Sequence, residues 1–156
     1  MRFIGNIEAK ADSKGRIFVP AHFRRVLQAA KADKLMMRKD IFQECLVLYP
    51  EESWNEQLDT LRSKLDKWDR HQSMIFRQFV SDVEEVTMDS NGRILIPKRY
   101  MDMAGIQQEV RFIGMDDTIE IWAKERLEES LMDAETFSIE IEKTMSRQKK
   151  ENNSND

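Results

Sequence analysis

The chain has 156 residues, of which 40% are hydrophobic and 35% are charged, and its formal net charge is −4. This composition predicts a soluble globular protein of about one domain, and no apolar run approaches the ~20 residues that a membrane-spanning helix needs. A single cysteine, Cys45, excludes an intrachain disulfide and agrees with a reducing, cytoplasmic location. The acidic net charge does not exclude nucleic acid, because phosphate attraction is local and is screened beyond ~10 Å.

The first predicted strand covers residues 3–11 and leads into the motif Asp12–Arg16, with the sequence DSKGR. Asp at the first position and Gly at the fourth favour a type I turn with a left-handed Gly, which closes a hairpin with a Gly bulge. The Asp12 carboxylate can accept hydrogen bonds from backbone N–H groups two residues later. Arg16 then lies at the hairpin tip, where its side chain can point outward.

Three apolar residues, Ile17–Val19, follow this arginine, and Pro20 follows them. The apolar run predicts a short strand that is buried on both faces. Because Pro suits the first turn of a helix, a helix is predicted over residues 21–30. A pair of strands is predicted next, at residues 35–37 and 46–49.

A long helical arm is predicted between the two halves of the chain. It begins after Pro50, breaks or bends over residues 66–70, and continues into the apolar stretch at residues 74–80. Trp54 and Trp68 lie at the two ends of a narrow apolar stripe on its first part. Two interpretations stay open: the arm packs against its own chain, or it contacts a neighbouring subunit.

The first motif returns as Asp89–Pro97, 77 positions after Asp12–Pro20 (89 minus 12), and six of the nine residues are identical. Such similarity indicates an internal duplication. The elements predicted around the second copy are a strand at 83–88, a helix at 98–104 that Gly105 ends, strands at 110–113 and 119–122, and a helix from 124 to 132. The pattern over residues 137–141 does not distinguish helix from strand, and disorder is predicted from about residue 146, where apolar residues end.

These features resemble the MraZ family of bacterial transcriptional regulators. The resemblance rests on the two motifs, on Phe3-Ile4-Gly5, and on the strands at Leu46–Pro50 and Ile119–Trp122. It implies an α+β fold with a mostly β core, namely a duplicated AbrB-like swapped-hairpin β-barrel with helices packed outside. The implied parts are a first AbrB-like repeat at 1–54, a helical connector at 55–82, a second AbrB-like repeat at 83–130, and a C-terminal extension at 131–156.

The resemblance also implies a function and partners. The expected function is sequence-specific binding of double-stranded DNA at short direct repeats, with repression of the division and cell-wall gene cluster that encodes the protein. The expected assembly is a ring-like homo-oligomer associated with the nucleoid. No cofactor, membrane or small-molecule substrate is expected.

Arg16 and Arg93 are the first candidate DNA-binding residues. A guanidinium at a hairpin tip can form two parallel hydrogen bonds to guanine O6 and N7, and a two-stranded ribbon is thin enough to enter the major groove. The alternative is that each arginine bonds back to an aspartate and only stabilises the turn. The residues expected to form the turns are Asp12 and Gly15 in the first and Asp89 and Gly92 in the second.

Further cations lie in and after the turns. Lys14 suits a phosphate or a base acceptor, whereas its counterpart Asn91 is neutral, so the second turn is predicted to be less basic. Arg24 and Arg25 follow the first motif, and Lys98–Arg99 follow the second; they are candidate phosphate contacts if each helix lies beside its own turn. The alternative for these four residues is ordinary solvated helix charge.

Two other function classes are weighed against DNA binding. One is an oligomeric interaction scaffold, or an antitoxin-like binder, that uses the same turns on a protein partner. The other is an enzyme in which Asp12 and Asp89 act as an acid–base pair, which is disfavoured because each carboxylate already has a turn to hold. No zinc spacing, nucleophile elbow or phosphate-binding glycine loop is present in the sequence.

Overall fold

The computed structural model describes the backbone of residues 1–154 and the side chains of residues 1–147. The described chain has a mixed α+β fold, and the predicted α+β class is confirmed. Its elements are β1 Asn6–Lys10, β2 Arg16–Phe18, α1 Ala21–Ala29, β3 Leu35–Lys39, β4 Leu46–Pro50, α2 Glu51–Lys64, α3 Arg70–Ser81, β5 Glu84–Val86, β6 Arg93–Leu95, α4 Lys98–Ala104, β7 Glu109–Met115, β8 Thr118–Ala123, α5 Lys124–Ser130 and α6 Ala134–Ser154.

The strands form one large and one small antiparallel sheet. Six strands follow the order β1-β7-β8-β4-β3-β5, while β2 pairs with β6. β1 and β5 are the edges of the large sheet, so the hydrogen bonds between the described strands do not close a ring. The prediction of a closed barrel is therefore corrected, because the short strands β2 and β6 bond to each other and do not join the two edges.

The two halves of the chain share one sheet. β1 precedes the first turn motif but pairs with β7, and β5 precedes the second motif but pairs with β3. In the small sheet, β2 runs antiparallel to β6, with Ile17 opposite Ile94. Each half thus supplies strands that the other half needs as hydrogen-bonding partners.

Helices α1 and α4 occupy corresponding positions over the core. Phe23 and Leu27 of α1 and Tyr100 and Ala104 of α4 are all buried, and each pair of counterparts differs by the same 77 positions. Burying a large apolar side chain stabilises the fold by about 1.5–3 kcal/mol. Both helices begin directly after a Pro as predicted, and Gly105, with φ +66°, ends α4.

The helical arm, α2 and α3, is attached to the sheet at its two ends. Trp54 of α2 stacks on Phe79 of α3 with ring centroids 5.3 Å apart. Buried Arg38 of β3 donates a hydrogen bond from Nη1 to the Phe79 carbonyl at 2.8 Å, and its guanidinium lies over the Phe79 ring. Trp68, in the break between the helices, is 95% exposed. Packing against the same chain is therefore confirmed for the ends of the arm and not for its middle.

Helix α6 extends the chain beyond the sheets. It continues to Ser154, past residue 146, where disorder is predicted, because Gln, Lys, Arg and Glu favour helix even where apolar residues are absent. Residues 155–156 of the predicted disordered tail lie outside the described residues. Every described side chain of α6 is exposed. None of the helices in the described part combines the length and the apolar character needed to cross a membrane.

Candidate nucleic-acid interface

The first turn has the predicted local geometry. The Gly15 N–H donates to the Asp12 carbonyl at 3.0 Å, and the Asp12 N–H donates to the Arg16 carbonyl at 2.9 Å. Asp12 Oδ1 accepts the backbone N–H groups of Lys14 and Arg16, both at 2.9 Å. Gly15 has φ +87°, and a Cβ added there would lie 2.6 Å from the Ile96 carbonyl oxygen. Only glycine suits this position.

The second turn repeats these bonds almost without change. The Gly92 N–H donates to the Asp89 carbonyl at 3.0 Å, and the Asp89 N–H donates to the Arg93 carbonyl at 2.8 Å. Asp89 Oδ1 accepts the N–H groups of Asn91 and Arg93, both at 2.9 Å, and Gly92 has φ +85°. The aspartate and the glycine therefore make the same bonds and adopt the same backbone conformation in both turns.

The segments that flank each turn do not form the predicted hairpin. β1 continues into the large sheet and β2 into the small one, so the two segments separate after the turn. The Gly15 carbonyl accepts the Ile96 N–H at 2.9 Å, and the Gly92 carbonyl accepts the Val19 N–H at 3.0 Å. The turn determines only the local reversal of the chain, whereas burial of the apolar strands decides which strands pair.

Both turn arginines form the bond back to an aspartate that the sequence left open as the structural alternative. Arg16 donates from Nε to Asp12 Oδ2 at 2.7 Å, and Arg93 donates from Nε to Asp89 Oδ2 at 2.9 Å. Hydrogen bonds from the backbone N–H and the guanidinium of each arginine hold the pKa of its aspartate below the usual value. Within the described part of the chain, neither arginine uses its Nη groups in a hydrogen bond. Each guanidinium is therefore oriented by its inner nitrogen and keeps its outer edge available.

The outer face of the β2–β6 ribbon is partly apolar. Ile17 and Ile94 point inward and are buried, but Phe18 is 56% exposed and Leu95 is 55% exposed. Phe18 lies opposite Arg93, and Leu95 lies opposite the other turn arginine. The prediction that both apolar runs are buried on two faces is therefore wrong at these positions, because the ribbon is covered on one side only. The strict alternation of sides along a strand was the signal that could have identified them.

The helices after the motifs lie against the turns of the opposite halves. Arg24 of α1 lies over Gly92, where an added Cβ would be 2.8 Å from its Cδ. Its counterpart, Met101 of α4, lies over Gly15, with the sulfur 3.1 Å from an added Cβ. This exchange follows from antiparallel pairing, which sets the end of β2 beside the start of β6. The condition that each helix lies beside its own turn is therefore not met.

The placement of each helix over the turn of the opposite half equalises the formal charge of the two turns. The first turn has Lys14 and Arg16 against one aspartate, and the second has Arg93 and Arg24 against one aspartate. Two cations and one carboxylate give each turn a formal charge of +1. The tip of the second turn has one cation fewer, as the sequence indicates, but the two turns carry equal charge once the neighbouring helix is included. Arg24 Nε is buried without a hydrogen-bond partner among the described residues.

The other predicted helix cations differ in availability. Arg25 and Lys98 are exposed. Arg99 instead bonds to Asp82 at 2.8 Å and to Glu84 at 2.9 Å, and these two carboxylates raise its pKa above the usual value. The charge of Arg99 is therefore compensated within the chain, which leaves this side chain less available to a phosphate than Arg25 or Lys98.

The turn aspartates are not arranged as a free acid–base pair. Asp12 and Asp89 are each engaged by their own turn and arginine. Among the described residues, no three His, Cys, Asp or Glu side chains are arranged to hold a metal ion.

Comparison with known proteins identifies the family. The model of the family described as "MraZ protein, putative antitoxin-like" matches residues 3–77 and again residues 79–149. A relative from Bacteroides fragilis is 61% identical over 153 residues, which cover 98% of this chain and 97% of the relative. Relatives from Bacteroides thetaiotaomicron and Shewanella oneidensis are 60% and 32% identical, covering 93% and 77% of this chain and 93% and 78% of their own lengths. All three are named "Transcriptional regulator MraZ", which is not the name of an enzyme. The chain therefore belongs to the MraZ family.

Proposed function

We propose that this protein is a transcriptional regulator that binds double-stranded DNA through the outer face of the β2–β6 ribbon and its two turns. The observation that carries the proposal is the pair of turn arginines, Arg16 and Arg93, each oriented by an aspartate with its outer nitrogens unused. A two-stranded ribbon fits the major groove, where such a guanidinium can bond guanine O6 and N7. The names of the relatives support the regulatory role.

The side chains around the arginines suit the remaining contacts with DNA. Phe18 and Leu95 are apolar groups of the kind that contact the methyl group of thymine. Lys14 and Asn91 in the turns, Arg24 over Gly92 and the exposed Arg25 of α1 supply contacts with phosphates or base edges. Phosphate contacts set the position of the protein, and the ribbon then discriminates between base sequences.

The proposal extends to target and assembly. The protein represses its own division and cell-wall gene cluster by binding short direct repeats in the promoter. It acts in the cytoplasm at the nucleoid, as a ring-like homo-oligomer. Several turns on one DNA raise the apparent affinity by ~10²–10⁴, which offsets the net charge of −4.

The fold proposal is a duplicated AbrB-like swapped-hairpin architecture, with repeats at 1–54 and 83–130, a connector at 55–82 and an extension at 131–156. The exchange of strands between halves and the two family matches support it.

The second candidate function is an antitoxin-like binder or scaffold that uses the turns on an acidic protein. The description of the family favours this alternative, as does the 95% exposed Trp68 on the arm. A protein partner would contact the same cations but would not read base edges. Binding of the chain to duplex DNA therefore distinguishes the two candidate functions.

The test is a fluorescence titration with promoter duplex DNA over a series of salt concentrations. Arg16→Ala and Arg93→Ala each lower affinity about 5- to 150-fold, because a good bidentate base contact contributes ~1–3 kcal/mol of discrimination. The loss is smaller on a duplex whose guanines have been replaced.

Arg70→Ala is the matched control, since Arg70 is an exposed arginine of α3. It leaves the affinity unchanged. Absence of DNA binding at low salt, or equal losses in all three variants, would overturn the proposal and favour a protein partner.

A further inference from the structure

Helix α6 has an apolar row that no described residue of its own chain covers. Phe137, Ile141 and Met145 are spaced four residues apart and therefore share one face of the helix. They are 56%, 48% and 63% exposed, and the row extends over ~12 Å of helix. Exposed apolar groups in such a row are typical of a helix that docks into a groove.

A groove of suitable character lies on the helical arm. It is a cleft of about 310 Å³ at the junction of α2 and α3. Leu65 and Phe76 give it an apolar floor, and Arg62, Lys67 and Arg77 are among the charged residues around it. Among the described residues, the contacts of the arm with the sheet lie toward the other ends of its helices, so this junction lies away from the core.

The charges of the two surfaces are complementary. Residues 128–142, which lead into α6 and form its first turns, contain six carboxylates and no lysine or arginine. Residues 62–77, which form the groove, contain five lysines and arginines and two aspartates. Opposite charges around two apolar surfaces attract each other, which promotes association and determines its orientation.

We propose that α6 of one copy of this chain docks into the α2–α3 groove of a second copy. The occupant is a second copy because every chain carries both surfaces, and α6 leaves the groove of its own chain uncovered. The contact joins two different patches, so it is heterologous and continues from subunit to subunit until it closes into a ring or extends as a filament. This inference rests on the homo-oligomer in the proposed function and assigns its interface.

The test is disulfide cross-linking between two variants of the full chain that carry tags of different size. Ser73→Cys places a thiol in the groove, and Ile141→Cys places one on the apolar row. Cys45 does not compete, because it is fully buried and burial raises the pKa of its thiol. Mixing and oxidising the two variants is expected to shift the mass from single chains to a two-chain species carrying both tags.

Ile139→Cys is the matched control, since Ile139 is an equally exposed isoleucine of α6 that lies on the opposite face of the helix. It forms little of the mixed species. Equal yields from the two α6 positions, no mixed species at all, or a disulfide confined to one chain in the Ser73→Cys/Ile141→Cys double variant would each overturn the inference. Arg16→Ala leaves the cross-link unchanged while lowering DNA affinity, so failure of the docking and failure of DNA binding are distinguishable.

Discussion

The two turns of this protein have the same backbone but different surroundings. Each has an aspartate that accepts two backbone N–H groups, a left-handed glycine, and an arginine bonded through Nε. The first turn carries a lysine at its tip and has Met101 over its glycine, whereas the second carries Asn91 and has Arg24 over its glycine.

This difference in surroundings leaves the charge of the two turns balanced. The cation absent from the tip of the second turn is supplied by a helix of the first half, so the formal charge stays equal. Because the strands are exchanged between halves, each structural unit is a turn from one half together with a helix from the other. Substitutions at corresponding positions of the two halves test this view.

The largest expected difference between corresponding positions of the two turns lies at the glycines. Gly15→Ala forces a Cβ against the Ile96 carbonyl oxygen, which is backbone, whereas Gly92→Ala meets only the flexible Arg24 side chain. Both alanines are strained in the left-handed conformation. We expect the free energy of unfolding to fall by about 2–4 kcal/mol for Gly15→Ala and by about 1–2 kcal/mol for Gly92→Ala. Urea unfolding at one fixed protein concentration measures both values. Equal losses, or a larger loss at Gly92, would contradict the structure.

A second comparison concerns the exchanged charge. Lys14→Asn and Arg24→Met each remove one cation from a turn, so each should reduce the salt slope of DNA binding by about 1. The double variant should reduce it by about 2, because the turns act separately. If Lys14→Asn reduces the salt slope and Arg24→Met does not, Arg24 does not replace the missing cation of the second turn in DNA binding.

The turn aspartates predict a shared response to acid. Their pKa values lie below the usual value when folded, so their bonds are present at neutral pH and are lost as pH falls below ~4. Asp12→Asn and Asp89→Asn should therefore lower stability at neutral pH, and the deficit should shrink as the solution is acidified. Thermal unfolding between neutral and acidic pH measures this. A stability deficit that grows as the pH falls would contradict this prediction.

The smallest expected effect is on the exposed apolar pair of the ribbon. Phe18→Ala and Leu95→Ala should each change the free energy of unfolding by less than ~0.5 kcal/mol, since both side chains are more than half exposed. Ile17→Ala, one residue away and buried, should cost about 2–5 kcal/mol. Comparable losses at all three positions would mean that the ribbon is covered on both faces.

Local features of the fold could be predicted from the sequence, and long-range ones could not. Pro20, Gly105 and the two aspartate–glycine turns determine where elements begin and end through their own backbone preferences. The pairing of β1 with β7 and of β2 with β6 depends on which distant surfaces bury each other, and no local pattern encodes it.

The same division applies to the candidate site. Arg16 and Arg93 could be located from the repeated motif, because the turn orients the residue after its glycine. The position of Arg24 over the opposite turn and the capture of Arg99 by Asp82 and Glu84 could not, since both depend on contacts between the halves.

The central claim is that both turns lie against DNA in the same way, and photo-cross-linking tests it most directly. Ser13 and Ser90 are exposed counterparts in the two turns, and Ser63 is an exposed serine on the arm. A photoreactive residue at each position, irradiated with promoter duplex, should cross-link to DNA in comparable yield from Ser13 and Ser90 and not from Ser63. Cross-linking from only one turn, or from Ser63 as strongly as from either turn, would contradict the account.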